Sequence, residues 1–92
     1  MGVALFGRIR EVLGRREVEV EVDLEKARVR NILCKIVEIN RKAESIIFTK
    51  SMRLRDDIKI LVNGRPIELL SSLDTSLEEG AELCIFTAVG GG

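Results

Sequence analysis

Glu17-Val18-Glu19-Val20-Glu21-Val22, followed after a short charged link by Val29-Arg30-Asn31-Ile32-Leu33-Cys34-Lys35-Ile36-Val37, is the stretch on which the fold turns. In the first segment valine and glutamate alternate without a break. One face is apolar and the other charged, which is the period of a half-buried strand. In the second segment Val29, Ile32, Leu33, Ile36, Val37 and Asn40 fall at i, i+3, i+4 and i+7 spacing. Arg28, Arg30, Lys35, Glu38 and Arg41 lie largely elsewhere. The period has changed from strand to helix, predicting an amphipathic helix over roughly residues 28–42. No Ser, Thr or Asp stands at its expected start, so this helix is read from periodicity and not from a cap.

Upstream, Val3 to Ile9 begins as a strand, with Val3 and Leu5 on one face and Ala4 and Phe6 on the other. Arg10-Glu11-Val12-Leu13-Gly14-Arg15-Arg16 reads as a charged connection turned by its glycine, so 17–22 forms the second arm of an N-terminal hairpin. Downstream, residues 43–57 carry the least pattern, and a short strand or a helical turn around Ile46, Ile47 and Phe48 fits equally. Ile58, Ile60 and Val62 alternate again, and Asn63-Gly64 is a strong hairpin-turn signal. Pro66-Ile67-Glu68-Leu69-Leu70 continues as a short strand or turn, Leu73 and Leu77 anchor a polar loop, and Glu79-Gly80 turns into a final strand, Ala81 to Ala88. The order is ββαββ. It predicts an α+β domain, a mixed sheet of four to five strands under one main helix. The β-grasp (ubiquitin-like) fold has this order, with its last strand beside the first at the sheet centre. A single domain over 1–89 is expected, with Val18, Val20, Val22, Ile32, Leu33, Ile36, Ile58, Ile60, Val62, Leu83 and Ile85 in its core.

Composition excludes several functions. Fifteen basic and 15 acidic residues cancel, so no basic footprint argues for nucleic acid. The 3 phenylalanines, Phe6, Phe48 and Phe86, are too few for a base-stacking platform. No apolar stretch approaches the length of a membrane span and no basic-then-apolar leader opens the chain. Met1-Gly2 starts like a myristoylation site, but Phe6 stands where that motif wants Ser or Thr. The expected location is the cytoplasm. Cys34 and Cys84 are not a disulfide framework there. The absence of histidine removes a Ser-His or Cys-His pair and the usual imidazole metal site. Asp56-Asp57 and Glu78-Glu79 read as loop and turn residues. No bound cofactor, no metal and no self-contained enzymology are expected.

The chain closes on Gly90, Gly91 and Gly92, directly after Leu83-Cys84-Ile85-Phe86-Thr87-Ala88-Val89. Glycine has no side chain to bury and loses the most freedom on ordering, so 90–92 is expected to be a flexible tail. A linker stub would look the same. The tail makes chemical sense if its carboxylate is the reactive group, because residues without Cβ atoms can thread a narrow tunnel in a partner enzyme.

With these pieces in order, the chain resembles the MoaD/ThiS-like sulfur carriers of the ubiquitin-like class, typified by the small subunit of molybdopterin synthase. Phe6-Gly7-Arg8-Ile9-Arg10-Glu11-Val12-Leu13-Gly14-Arg15-Arg16 is similar to that family's opening strand and its Arg-x-x-x-Gly-Lys/Arg connection. Val62-Asn63-Gly64 and Leu73 to Gly80 resemble its Val-Asn-Gly and Leu-x-Asp-Gly-Asp segments. Ile85-Phe86-Thr87-Ala88-Val89-Gly90-Gly91-Gly92 resembles its Phe-Pro-Pro-Val-x-Gly-Gly ending. Two departures stand out: Thr87-Ala88 replaces the usual prolines, which suggests a less rigid tail, and the glycines number three.

The resemblance implies a carrier cycle. An E1-like adenylating enzyme would use ATP to activate the Gly92 carboxylate, with Gly91 beside it. A persulfide on another protein would displace AMP and leave a thiocarboxylate. The sulfur would pass to a pterin precursor on the large catalytic subunit of molybdopterin synthase. The carrier itself is then no enzyme but the non-catalytic small subunit of a sulfurtransferase. Phe86, Val89 and Gly90 would contact partners. Phe86, opposite Leu83 and Ile85 by alternation, reads as a docking anchor, the alternative being a side chain covered by 43–57. Cys34 reads as inert packing near the buried stripe, and Cys84 as partly exposed with Glu82 for a neighbour. Arg8, Arg10, Arg15 and Arg16 could meet an acidic partner, although solvated surface is the default. Competing functions share the fold: a protein modifier joined through Gly92 to lysines, a thiamine-pathway carrier, and an interaction module with an incidental glycine end.

Overall fold

The computed structural model describes residues 1–87 and builds one five-stranded mixed sheet in the order β2-β1-β5-β3-β4. Strand β1 (Gly2–Phe6) runs antiparallel to β2 (Glu17–Glu19) and parallel to β5 (Leu83–Thr87). On the other side β5 runs antiparallel to β3 (Ile58–Val62), which pairs in turn with the short β4 (Arg65–Pro66). The last strand therefore lies beside the first in the middle of the sheet, as the β-grasp order requires. Pairing continues past the end of β2, because the Val20 N–H donates to the Met1 carbonyl and the terminal ammonium donates to the Val20 carbonyl, each at 2.8 Å. Asn63 and Gly64 both take positive φ, 52° and 81°, the backbone of a tight type I′ hairpin.

The alternation Val3, Leu5, Val18, Val20, Ile58, Ile60, Val62, Leu83 and Ile85 faces one side and is buried there. Helix α2 (Val29–Ile39) covers that side with Ile32, Leu33 and Ile36, each fully buried. Each such side chain contributes about 1.5–3 kcal/mol by leaving water. Of the expected core, only Val22 is half-buried, lying beyond the paired part of its strand. With no Ser, Thr or Asp at its start, α2 is capped partly by its own Asn31 and partly from elsewhere in the chain. The Val29 N–H donates to the Thr75 carbonyl at 3.1 Å, and the Arg28 N–H to Asn31 Oδ1 at 3.1 Å. The guanidinium of Arg28 reaches the Asp74 carbonyl at 2.8 Å, and Arg30 pairs with the Asp74 carboxylate at 2.9 Å. Leu77 is buried beneath this loop, and Leu73 packs against the core.

Four parts of the sequence reading change. The charged connection after β1 is a helix, α1 (Arg8–Leu13), closed by Gly14 in the left-handed conformation. The strand stops at Phe6 because Gly7 turns the backbone to φ 80°, so Ile9 enters the core from a helix. Helix α2 ends at Ile39, not near 42: Asn40 returns to extended backbone, and its Oδ1 accepts the Lys42 N–H at 3.0 Å to begin α3 (Lys42–Ile47). The unreadable middle is thus opened by a helix that sends Ala43, Ile46 and Ile47 into the core. Cys34 is exposed and not packed, since the buried stripe of α2 runs through Leu33 and Val37 and leaves Cys34 at its solvent edge.

Candidate functional site

The face of the sheet turned away from α2 carries the candidate site. Along β5 the residues Leu83, Ile85 and Thr87 point inward, which sends Cys84 and Phe86 outward. The parallel register with β1 sets Phe6 opposite Phe86 and Ala4 opposite Cys84. The antiparallel register with β3 sets Lys59 opposite Phe86 and Leu61 opposite Cys84. The two rings stack with centroids 4.8 Å apart and planes 14° from parallel. Phe6 is 40% exposed and Phe86 half-buried, so the pair is open to solvent on its outer side. A stacked pair of this kind holds its own geometry with about 0.5–1.5 kcal/mol beyond area burial. An apolar strip with a lysine at its border results. The apolar side chains of α3, with Phe48 and Leu54 after it, pack against the core and not as an outer cover of this strip.

At the end of β5 the chain is held tightly. Thr87 is buried, its hydroxyl accepts the backbone N–H of Arg8 and donates to the Phe6 carbonyl at 3.3 Å. Gly7, at φ 80° and ψ −145°, has no side-chain cap to offer α1, and the Thr87 hydroxyl takes up the first free N–H of that helix instead. A Cβ at Gly7 would come within 2.7 Å of the Thr87 carbonyl oxygen, so the glycine serves both the dihedral and the close approach. Thr87 itself is fixed by its hydrogen-bonded hydroxyl, while Ala88 and the less rigid tail expected from the missing prolines lie outside the described residues. Val89, Gly90, Gly91 and Gly92 lie outside the described residues, as does the tail expected over 90–92.

Around this exit Arg8, Arg10, Arg15 and Arg16 are all exposed, and none forms an ion pair with another described residue. Asp57 is committed to Arg55 at 3.0 Å, whose hydrogen bond holds the carboxyl below its ordinary range, while Asp56 stays in solvent. The two therefore do not act as an acid-base pair. Cys84 is half-buried, and burial, with help from Glu82, pushes its thiol up and away from the reactive thiolate. Cys34 opens instead on a groove between α2 and α3 lined by Val37, Arg41, Phe48 and Met52. Among the described residues no three His, Cys, Asp or Glu groups converge to hold a metal ion, and no helix is long and apolar enough to cross a membrane.

Sequence reasoning placed Phe86 on the correct face but missed its partner. The signal was present, since Phe6 had been read onto the outer face of the first strand and the fold order puts β1 beside β5. The contact of Gly7 with Thr87 had no such signal, because it depends on where the two strand ends meet.

The ThiS family model matches residues 3–92 of the chain. A putative sulfur carrier protein of Archaeoglobus fulgidus is 31% identical over 74 residues, 80% of this chain and 84% of that protein. Small archaeal modifier protein 1 of Haloferax volcanii is 35% identical over 88 residues, 96% of this chain and 95% of the relative. The crystal structure of that modifier covers 100% of this chain and 98% of its own, with a TM-score of 0.87. A putative molybdopterin converting factor, subunit 1, of Pyrococcus furiosus is 30% identical over 96% of this chain and 95% of its own, with a TM-score of 0.74.

Proposed function

The chain belongs to the ThiS family of ubiquitin-like sulfur carriers and modifiers, and from that premise we propose that its Gly92 carboxylate is activated by an E1-like enzyme and passed on as a sulfur-bearing acyl group. The observation that carries this reading is the exposed Phe6–Phe86 stack on β1 and β5, the strand that leads toward the glycines. It supplies a rigid apolar anchor for an enzyme that must also take in the chain end. Activation joins a carboxylate oxygen to the α-phosphorus of ATP and releases pyrophosphate. A persulfide sulfur then attacks the acyl carbon and displaces AMP, and a second thiol opens the remaining S–S bond to leave the thiocarboxylate. This chain supplies the acyl group; the acids, bases and ATP site belong to partners. In the sulfur-carrier reading the recipient is a pterin precursor held by the large subunit of a molybdopterin synthase.

A second reading is attachment of Gly92 to lysines of other proteins, favoured by the 35% identity to a small archaeal modifier protein along nearly the whole chain. Both readings use the same activated carboxyl. Intact-mass measurement of protein from its own cells separates them: a shift of one oxygen replaced by sulfur supports carriage, and a ladder of lysine conjugates supports modification. Deleting Gly91-Gly92 is expected to leave thermal stability nearly unchanged. It draws the carboxylate back by roughly two extended residues, about 7 Å. Reacting atoms must come within about 3–3.5 Å, so pyrophosphate exchange with the activating enzyme is expected to vanish. A deletion variant that still exchanges pyrophosphate defeats both readings.

A further inference from the structure

We propose that Thr87 and Gly7 form a pin that sets the direction in which the chain leaves β5, making Thr87 a positioning residue for the delivery of the carboxyl group. This deepens the activation reading above and rests on it. Thr87 holds two parts of the backbone at once, accepting from the Arg8 N–H and donating to the Phe6 carbonyl. Its own main chain pairs with Ile58 on β3. The end of β1, the start of α1 and β3 therefore converge on the last residue of β5. The space the threonine occupies is open only because Gly7 has no side chain.

The hydroxyl is more than a core filler. A buried residue in this position could be valine, of the same shape, and would satisfy packing alone. Threonine adds a donor and an acceptor that both find partners, which fixes the rotamer as well as the volume. The stacked rings lie one residue before the pin, so docking surface and the end of β5 are held in one rigid frame. A partner that seats the rings meets the rest of the chain starting from a fixed point. Without the pin the same docking would have to order an additional residue of backbone before the carboxylate reached its target.

The test uses the full chain with Thr87→Val, and Thr87→Ser to restore the hydroxyl. Pyrophosphate exchange is followed with the cognate E1-like enzyme and ATP, below the melting temperature of each variant. The valine variant is expected to lose on the order of tenfold in kcat, the scale of ordering one residue's backbone. Its KM is expected to stay within about twofold, because the docking surface is intact. Serine is expected to restore kcat. A structural role alone would lower the melting temperature and leave kcat untouched, and that result, or a loss that serine does not restore, overturns the proposal. If valine prevents folding, Thr87→Ala removes the same hydroxyl without bulk and is judged by the same criteria. If the unaltered chain shows no exchange, the activation reading fails, and backbone relaxation decides the pin: added fast motion at residues 88–90 in the valine variant supports it, and unchanged motion overturns it.

Discussion

Phe86→Ala separates a docking surface from a core more sharply than any other single change. Truncating a phenylalanine inside a packed core costs about 3–5 kcal/mol. Phe86 is only half-buried, and its main specific contact is the stack on Phe6 at 4.8 Å. Losing that pair removes about 0.5–1.5 kcal/mol, and losing the covered part of the ring adds a comparable amount. The expected cost is therefore about 1–3 kcal/mol, which for a domain of this size lowers Tm by roughly 5–25 °C. Urea unfolding should remain one cooperative transition with an unchanged slope. Affinity for the activating enzyme should fall by about 1–3 kcal/mol, roughly fivefold to 150-fold in Kd, as expected for a truncated aromatic anchor. Titration calorimetry reads that number directly. A stability loss of about 4 kcal/mol or more, or an unchanged Kd, refutes the reasoning: the first makes Phe86 core and the second makes its exposure incidental. Phe6→Ala closes the cycle, with an expected coupling to Phe86 of about 0.5–1.5 kcal/mol.

Gly7→Ala is expected to destabilise by at least about 2 kcal/mol, because a backbone at φ 80° costs a side chain about 1–3 kcal/mol and the added Cβ crowds the Thr87 carbonyl at 2.7 Å. Equilibrium denaturation checks it, and a loss below about 1 kcal/mol shows that the strand ends can part easily. At neutral pH a thiol reagent is expected to modify Cys34 before Cys84, since the first is exposed and the second is half-buried with its thiol pushed up by burial and Glu82. Peptide mapping after partial alkylation gives the order, and the reverse order shows that the outer face near Cys84 is less protected than its geometry implies.

The resemblance that pointed to this family was carried by short local signals that survive without neighbours. Asn63-Gly64 is one, since the two positive φ values of a tight hairpin select these residue types. The turn of the half-buried Phe86 away from Leu83 and Ile85 is another, because strand alternation is a property of the backbone. The two short helices were harder to see. Ile9, Val12 and Leu13 before Gly14, and Ala43, Ile46 and Ile47, do carry helical spacing, but over 6 residues each it cannot be told from a connection or a strand. Asn40 was read as part of the apolar stripe of α2. Its side chain instead accepts the N–H of Lys42 and starts the next helix, a competition between side chain and helix ladder that residue spacing does not reveal.

The amino-acid sequence by itself determined the strand faces, the main helix, the hairpin at Asn63-Gly64 and the glycine-terminated end, because each follows from local period or local backbone preference. Tertiary structure alone decided which residues meet across the sheet. Phe6 stacks on Phe86 only because β1 and β5 run parallel in one particular register, and a shift of one residue would send one ring to the opposite face. The first N–H of α2, on Val29, finds its acceptor only in tertiary structure, in the Thr75 carbonyl far along the chain. Thr87 joins Gly7 and Arg8 only because the ends of the first and last strands lie side by side, so the hydroxyl that anchors the exit of β5 has its partners some eighty positions away (|i−j| 79 and 81) and no local sequence pattern can announce it.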